Sequence, residues 1–508
     1  MKRDMKKKPL ILMSLLLAAF VINLDATIVN VALPALTRQL GATTSQLQWI
    51  VDAYNLVFAA LLLSTGNLSD RIGRKKMLIA GLAVFGAASL VGSYAVNTTE
   101  LIAARAVMGL GAAMAFPATL SLITSIFRER HERARAIGLW GATTGAAIAL
   151  GPIVGGWLLE NYSWASIFVA MSPVALVGII MAALFIDEPR SEGLTHIDIA
   201  GLLLSALAMG TLVYTIIEAP TYGWLDGKTI AGFILTLVLL SLFIIRERRA
   251  ESPMLDMTLF KNGRFSAASA AVAIAFFTLF GFTFLMTQYF QFTRGYSAIS
   301  TGIHLLPVAI SVAVGSIVGT ALAVRISTKL IVTTGVLLIA VFYAWVASTI
   351  SPSLDYGIIA FQMIIYGLGL GLTSAPATES IMGAVHVHKA GVGSAINDTT
   401  RLVGGTLGVA IIGSLFASLY QDKIAQLLSL HIPSGLVATM KQSVGAGYVV
   451  ASQANQHGQY AIAHLLSNTT TDALIHGIQV SCTLAAAVAL AGALVAIVFL
   501  PSKPAIKE

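Results

Sequence analysis

Gly66-Asn67-Leu68-Ser69-Asp70-Arg71-Ile72-Gly73-Arg74-Lys75-Lys76 is a short charged turn between two long apolar runs, near residues 46 to 66 and 77 to 96. Gly66 and Gly73 permit a tight reversal, and Asp70 stands where the positive end of a helix favours an anion. The flanking runs have the length of membrane spans, since a bilayer core of roughly 30 Å needs about 20 apolar residues per helix. With Arg71, Arg74, Lys75 and Lys76 together, the turn reads as a basic anchor on one face of a membrane.

The rest of the chain repeats that pattern. It is 57% hydrophobic and 11% charged, with a mean hydropathy of +0.84. That leaves too few polar side chains to cover a soluble body of 508 residues. Apolar runs bounded by charge, Gly or Pro predict helices near 10–34, 46–66, 77–96, 101–124, 135–159, 164–186, 197–217 and 228–246. Six more follow near 265–291, 299–323, 329–350, 355–375, 390–418 and 474–500. The runs are continuously apolar, so alternating barrel strands are excluded. The layout is six, two and six: an all-α membrane protein with a bundle over residues 1–190, two additional helices over 191–250, and a second bundle over 251–508. Within the second bundle, about 420–472 is a long external segment. It is polar at both ends with an apolar centre at Val449, Val450 and Ala451. A surface cap, a re-entrant hairpin and an inert loop all fit that composition.

Lys and Arg counts orient the spans. With the N-terminus inside, 24 of the 31 fall in cytoplasmic segments and five (Arg38, Lys228, Arg294, Lys423 and Lys441) on the other side. Arg105 and Arg401 fall inside helices. That asymmetry predicts two cytoplasmic termini in the cell (inner) membrane and an even number of spans. It also explains the net charge of +8 without nucleic acid. Trp49, Trp157, Trp164, Trp224 and Trp345 fall near outer ends, as an aromatic belt does. Met1 to Lys8 and the run after them imitate a secretory signal. The run outlasts such a signal and no small-x-small site precedes Asp25, so cleavage is not expected. Cys482 alone can form neither a disulfide framework nor a thiolate metal site.

Four segments carry a family resemblance. The 66–76 turn resembles the cytoplasmic loop signature of the major facilitator superfamily. Leu24-Asp25-Ala26-Thr27-Ile28-Val29-Asn30-Val31-Ala32-Leu33-Pro34 resembles the first-helix signature of its fourteen-helix drug:proton antiporters. Arg105, Gly109, Gly111 and Pro117 resemble the fourth-helix motif. Gly138, Gly141, Gly145, Gly151, Pro152, Gly155 and Gly156 resemble the fifth-helix motif of exporters. The resemblance implies the major facilitator fold, with Gly66, Asp70, Arg71, Gly73, Arg74, Gly151, Pro152, Gly155 and Gly156 serving conformational gating. Packing is the competing account of the glycines, because small-x-x-x-small spacing lets helices approach closely. Pro152 beside Gly151 weakens the local ladder and allows bending.

Charges inside spans are the most informative residues. A mid-membrane Asp costs about 2.5 to 3.5 kcal/mol on insertion scales, so it normally lines a wet cavity or finds a partner. Asp25 lies deep in the first helix with no basic residue at helical spacing. Asp398 in the thirteenth has Arg401 at i+3, which could simply neutralise it. Arg105 has no acid at i+3 or i+4 and must find a partner on another helix, and the resemblance implies a proton-relay role for it. Asp52 and Glu379 read as solvated charges at helix ends. His304 reads as a hydrogen-bonded packing residue that could titrate near neutrality. Phe58, Phe280, Phe284, Met286 and Tyr289 are candidates for an adaptable apolar cavity, with the core as the alternative.

These features predict a proton-coupled antiporter that exports lipophilic cationic drugs, dyes or quaternary ammonium compounds by alternating access. Its partners are those small-molecule cations, protons and membrane lipids, and a monomer is expected. The alternative is an exporter of an amphiphilic lipid or endogenous metabolite. No cofactor, metal or enzymatic activity is expected: no nucleotide loop or nucleophile constellation is present, and His386 and His388 lack Cys or carboxylate neighbours at ligand spacing. Two features depart from the family pattern. The second-half counterpart of the Asp70 turn is reduced to Arg325 and Lys329, and the tenth helix lacks the acid that the resemblance implies for exporters of dications, which argues against divalent substrates.

Overall fold

The computed structural model describes residues 2–127, 129–188, 198–250, 253, 255, 257–384 and 390–500, without the side chains at 2–7, 63, 67, 70, 130, 131, 134 and 390–392. The described residues form helices and no strand. The first six are α1 Lys2–Leu40, α2 Thr44–Ile72, α3 Arg74–Gly92, α4 Thr98–Ile126, α5 Arg130–Asn161 and α6 Ser166–Phe185. Then come α7 Ile199–Tyr222 and α8 Gly227–Arg249, and α9 Gly263–Gln288, which ends in a π turn over Tyr289–Thr293. Helices α10 Ala298–His304 and α11 Leu306–Arg325 make one span broken at Leu305, followed by α12 Thr328–Thr349, α13 Tyr356–Ala384 and α14 Ala390–Ala425. Helices α15 Ser434–Gln442, α16 Val444–Gln456 and α17 Tyr460–Phe499 complete the chain.

Thirteen of the spans among the described residues are long and apolar enough to cross a membrane. Helix α2, in which the side chains at 63, 67 and 70 lie outside the described residues, is not counted among them; with it the spans number the expected fourteen if it crosses too. Local chemistry sets the helix ends. Thr43 and Gln46 form a reciprocal capping box at α2, while Asn97, Asp198 and Asp226 cap α4, α7 and α8. Gly73, with φ of 121°, makes the reversal between α2 and α3 in a region that side chains avoid.

Helices α1 to α6 pack on one another, as do α9, α11 to α14 and α17. The two sets meet mainly where α2 lies on α14 and α5 on α10. At α5 and α10 backbone touches backbone: a Cβ on Gly156 would stand 2.6 Å from the Ile299 nitrogen, and one on Gly302 2.5 Å from the Pro152 oxygen. Two buried amides reinforce the closure. Gln48 Nε2 donates to the Val409 and Ala410 carbonyls at 3.1 Å each, and Gln291 Nε2 donates to the Val31 carbonyl at 2.9 Å. Toward the end that carries Arg133 and Arg135, Gly138, Gly141 and Gly145 on α5 face open space, with nothing within 4 Å of an added Cβ. The two sets are therefore sealed at the far end and parted at this basic end.

Helices α7 and α8 flank the two sets. Val213, Ile216 and Ile217 of α7 cover the α2–α14 seam against Ala410, Trp49 and Leu56, and α8 packs on α7. The structure amends two expectations. The 420–472 segment is not an inert loop. It continues α14, forms the α15–α16 hairpin and starts α17, because Val450 and Ala451 have apolar surface to bury. Tyr420 holds that hairpin by donating to the Met440 and Ser443 carbonyls at 3.1 and 3.2 Å, and Thr44 of α2 donates to the Gln442 carbonyl at 3.3 Å. Trp164 is buried in the core rather than in a belt.

Candidate functional site

Asp25 on α1 and Arg105 on α4 come together. Nη1 of Arg105 is 2.5 Å from Oδ2 of Asp25, and the two side chains are 0% and 1% exposed. Nε of Arg105 donates to the Ile50 carbonyl at 2.9 Å, and the guanidinium lies 4.4 Å from the Tyr54 ring centre. Tyr54 in turn donates to the Ile22 carbonyl at 3.0 Å, tying α2 to α1. The pair is thus fixed by three helices and a cation–π contact. Oδ1 of Asp25 and Nη2 of Arg105 lack hydrogen-bond partners among the described residues.

The fifth-helix glycines connect this pair to the far-end seal. Gly151 lies against Thr27 and Ile28, with 3.1 Å from an added Cβ to the Ile28 nitrogen. Gly155 meets Ile28 Cγ1 at 2.7 Å, while Pro152 and Gly156 face α10. One side of α5 therefore grips α1 within three residues of Asp25, and the other forms the seal.

Asp398 and Arg401 form a looser arrangement on α14. Nη1 of Arg401 is 3.8 Å from Oδ1 of Asp398, too far for a hydrogen bond, and the side chains are 29% and 16% exposed. Nη2 of Arg401 donates to Thr378 Oγ1 at 3.1 Å, Thr378 donates to Asn397 Oδ1 at 3.1 Å, and Asn397 reaches Asp398 Oδ1 at 3.4 Å. The guanidinium lies 5.2 Å from the Phe276 ring centre. Asp398 is eleven residues from Val409, about 16 Å along the helix toward the parted end.

The other candidates divide. Asp52 is not a solvated end charge: it is 0% exposed, on a helix packed against α4, α14 and α7, and neither oxygen has a hydrogen-bond partner among the described residues. Glu379 is exposed, as expected of a boundary charge. His304 packs between Tyr296 and Tyr356, with ring centres 4.4 Å away on each side, and its Nδ1 is 2.6 Å from the Ser300 carbonyl. Phe58, Phe284, Met286 and Tyr289 are core residues. In the 66–76 turn, Arg71 is exposed, Gly66 meets nothing within 4 Å and Arg74 donates to the Ser121 carbonyl at 3.2 Å. The Asp70 side chain, His386 and His388 lie outside the described residues.

Sequence reading passed over several residues. Glu188 accepts from the Lys75 and Lys76 amides at 3.1 and 3.2 Å, capping α3 from the end of α6. Its signal was an acid just past a span and level with a basic turn. Tyr54, Phe276, Thr378, Gln48 and Gln291 carried no signal, since aromatic, hydroxyl and amide side chains are ordinary in helices. Among the described residues no group of three or more His, Cys, Asp or Glu could hold a metal ion.

Long apolar helices in two sets, sealed at one end and parted at the other, with one buried and one partly open carboxylate–guanidinium pair within the helices, define a multi-pass membrane transporter. The chain belongs to the Major Facilitator Superfamily, whose sequence model matches residues 15–409. It is 33% identical over 417 residues to the multidrug resistance protein Stp of Mycobacterium tuberculosis, covering 82% of this chain and 77% of Stp. It is 30% identical over 485 residues to the multidrug efflux pump LfrA of Mycolicibacterium smegmatis, covering 95% and 94%. With the methyl viologen resistance protein SmvA of Salmonella typhimurium it shares 32% over 452 residues, covering 87% and 89%. A bacterial homologue of the human lysosomal transporter Spinster, inward-facing and unoccupied, has the same fold, with a TM-score of 0.70 over 99% of both chains at 16% identity.

Proposed function

We propose that this chain is a proton-coupled multidrug exporter of lipophilic organic cations, working by alternating access between residues 1–190 and 251–508 with 191–250 flanking their seam. The observation that carries the reading is the contrast between two carboxylates. Asp25 is sealed against Arg105, whereas Asp398 is partly open and only loosely countered by Arg401. The relatives support export and organic cations as a class: three are named for multidrug resistance, multidrug efflux and methyl viologen resistance, and methyl viologen is an organic dication, so the monovalent preference rests on the sequence instead. With both termini cytoplasmic and fourteen spans in the inner membrane, the parted end faces the cytoplasm, and this is the loading state of a monomer.

In the proposed cycle a cation entering from the cytoplasm or inner leaflet meets Asp398. Opening at the far end breaks the α5–α10 contact, and α5 transmits that movement to α1 beside Asp25, whose carboxylate then takes a proton from outside. One proton exchanged for one monovalent cation moves no net charge, so the pH gradient drives it at about 1.4 kcal/mol per unit. Extra protons would add the membrane potential, about 2.3 kcal/mol per charge and 100 mV. The test uses purified protein in liposomes with an imposed pH gradient and ethidium as probe. Ethidium movement should follow the gradient and vanish in Asp25→Asn. Movement that ignores the gradient sinks the coupling.

A further inference from the structure

Arg401 occupies the position that an organic cation would take. Helices α9 and α14 lie backbone to backbone where Gly404 and Gly408 meet Ala273 and Phe277: a Cβ on Gly404 would stand 2.9 Å from the Ala273 Cα, and one on Gly408 2.9 Å from the Phe277 Cα. This close crossing brings the Phe276 ring within 5.2 Å of the Arg401 guanidinium. A ring face at that distance, with a carboxylate alongside, is the combination that recognises quaternary ammonium and flat aromatic cations. The guanidinium holds it weakly. It stands 3.8 Å from Asp398, its Nε has no hydrogen-bond partner among the described residues, and its firmest bond is to Thr378 on α13. By contrast, the Asp25–Arg105 pair closes at 2.5 Å and is fully buried.

We infer that Arg401 is a resident cation of the substrate site, which neutralises Asp398 and covers Phe276 in the empty carrier and, when a monovalent lipophilic cation binds, leaves both while Thr378 retains it. This deepens the proposed function and rests on it. Arg401 therefore acts as an internal competitor: it weakens substrate binding and helps expel the substrate when it swings back. A merely structural Arg would instead support binding.

The test measures equilibrium binding of tetraphenylphosphonium to the purified full-length protein in nanodiscs, with transport followed in parallel in liposomes. Arg401→Gln should bind about tenfold more tightly, the equivalent of about 1.4 kcal/mol, and transport more slowly. Arg401→Lys should return toward the original affinity. Adding Asp398→Asn or Phe276→Leu to Arg401→Gln should abolish the gain. Thr378→Val offers a check that does not remove the charge: by depriving Arg401 of the anchor that retains it once it has left Asp398, it should weaken binding. Equal or weaker binding by Arg401→Gln, a gain that survives Asp398→Asn, or unchanged binding by Thr378→Val overturns the inference while leaving cation export standing. Failure of the unaltered protein to bind any organic cation overturns the export reading itself.

Discussion

Replacing Gly156 by Ala tests whether the α5–α10 contact sets the conformational balance. The added Cβ would stand 2.6 Å from the Ile299 nitrogen and 2.7 Å from the Ala298 carbonyl carbon. Ordinary contacts between such atoms lie at about 3.5–4.0 Å, so the two helices must separate by about 1 Å. The obstacle is backbone, which cannot rotate out of the way as a side chain can. Overpacking of this kind costs about 1–3 kcal/mol. The penalty falls only on the far-end-closed state, because the contact is absent once the far end opens. The closed-to-open ratio should therefore drop by about 5- to 150-fold.

Spin labels at Tyr162, at the exposed end of α5, and at Leu436 on the hairpin would bracket the seal, and buried Cys482 is shielded from labelling. Pulsed electron resonance should show a longer distance population growing in Gly156→Ala and again in Gly302→Ala, which presses on Pro152 from the other side. Unchanged distance distributions in two well-folded variants would refute the reasoning. So would a fall in melting temperature with no change in populations, which would reduce the glycines to ordinary packing.

The same labels report on the two amide clasps. Gln48→Leu and Gln291→Leu each remove buried donors to main-chain carbonyls of the opposite set, and each should destabilise the closed end by about 1 kcal/mol; an undisturbed distribution in the double variant would assign the seal to the helix backbones alone. Asp52, buried with neither oxygen hydrogen-bonded among the described residues, should tolerate Asn without loss of melting temperature, whereas Asp52→Lys should lower it sharply. A marked loss of stability in Asp52→Asn would mean that a charged carboxylate is needed there.

The spans were legible because each is a continuous apolar run, and the α2–α3 reversal because Gly73 and charge mark it, although residues 66–72 belong to the end of α2 rather than to a turn. The ends of α1 and α17 were less so: polar extensions such as Tyr460 to Asp472 are helical, yet hydropathy marks only the part that lipid could accept. The α15–α16 hairpin was hidden for a related reason. Helices of 9 and 13 residues with a narrow apolar face resemble a polar loop until a surface exists to receive Val437, Met440 and Val450. At the site, sequence spacing found Asp398 and Arg401, which share a helix, but not the partnership of Asp25 and Arg105. That pairing depends on the register of α1 against α4, and Asp52 was misread because helix-end position says nothing about a neighbouring helix that covers it.

The two carboxylates suit different tasks for a reason that lies in their partners. A guanidinium fixed by a carbonyl, a ring and a short ionic contact has little freedom, so the Asp25–Arg105 pair responds only when α1, α2 or α4 shifts. Helix α5 grips α1 beside that pair with Gly151 and Gly155 while its other face forms the far-end seal, so opening the seal and disturbing Asp25 become one mechanical event. Asp398 needs no such event. Its counter-charge is 3.8 Å away and its side chain 16% exposed, so in the proposed cycle a competing cation reaches it while the far end stays shut. In the proposed exporter, placing the stiff pair by the seal and the loose pair toward the parted end keeps proton uptake tied to the outward step and substrate capture to the inward one. Exchanging those placements would let either ion cross without the other.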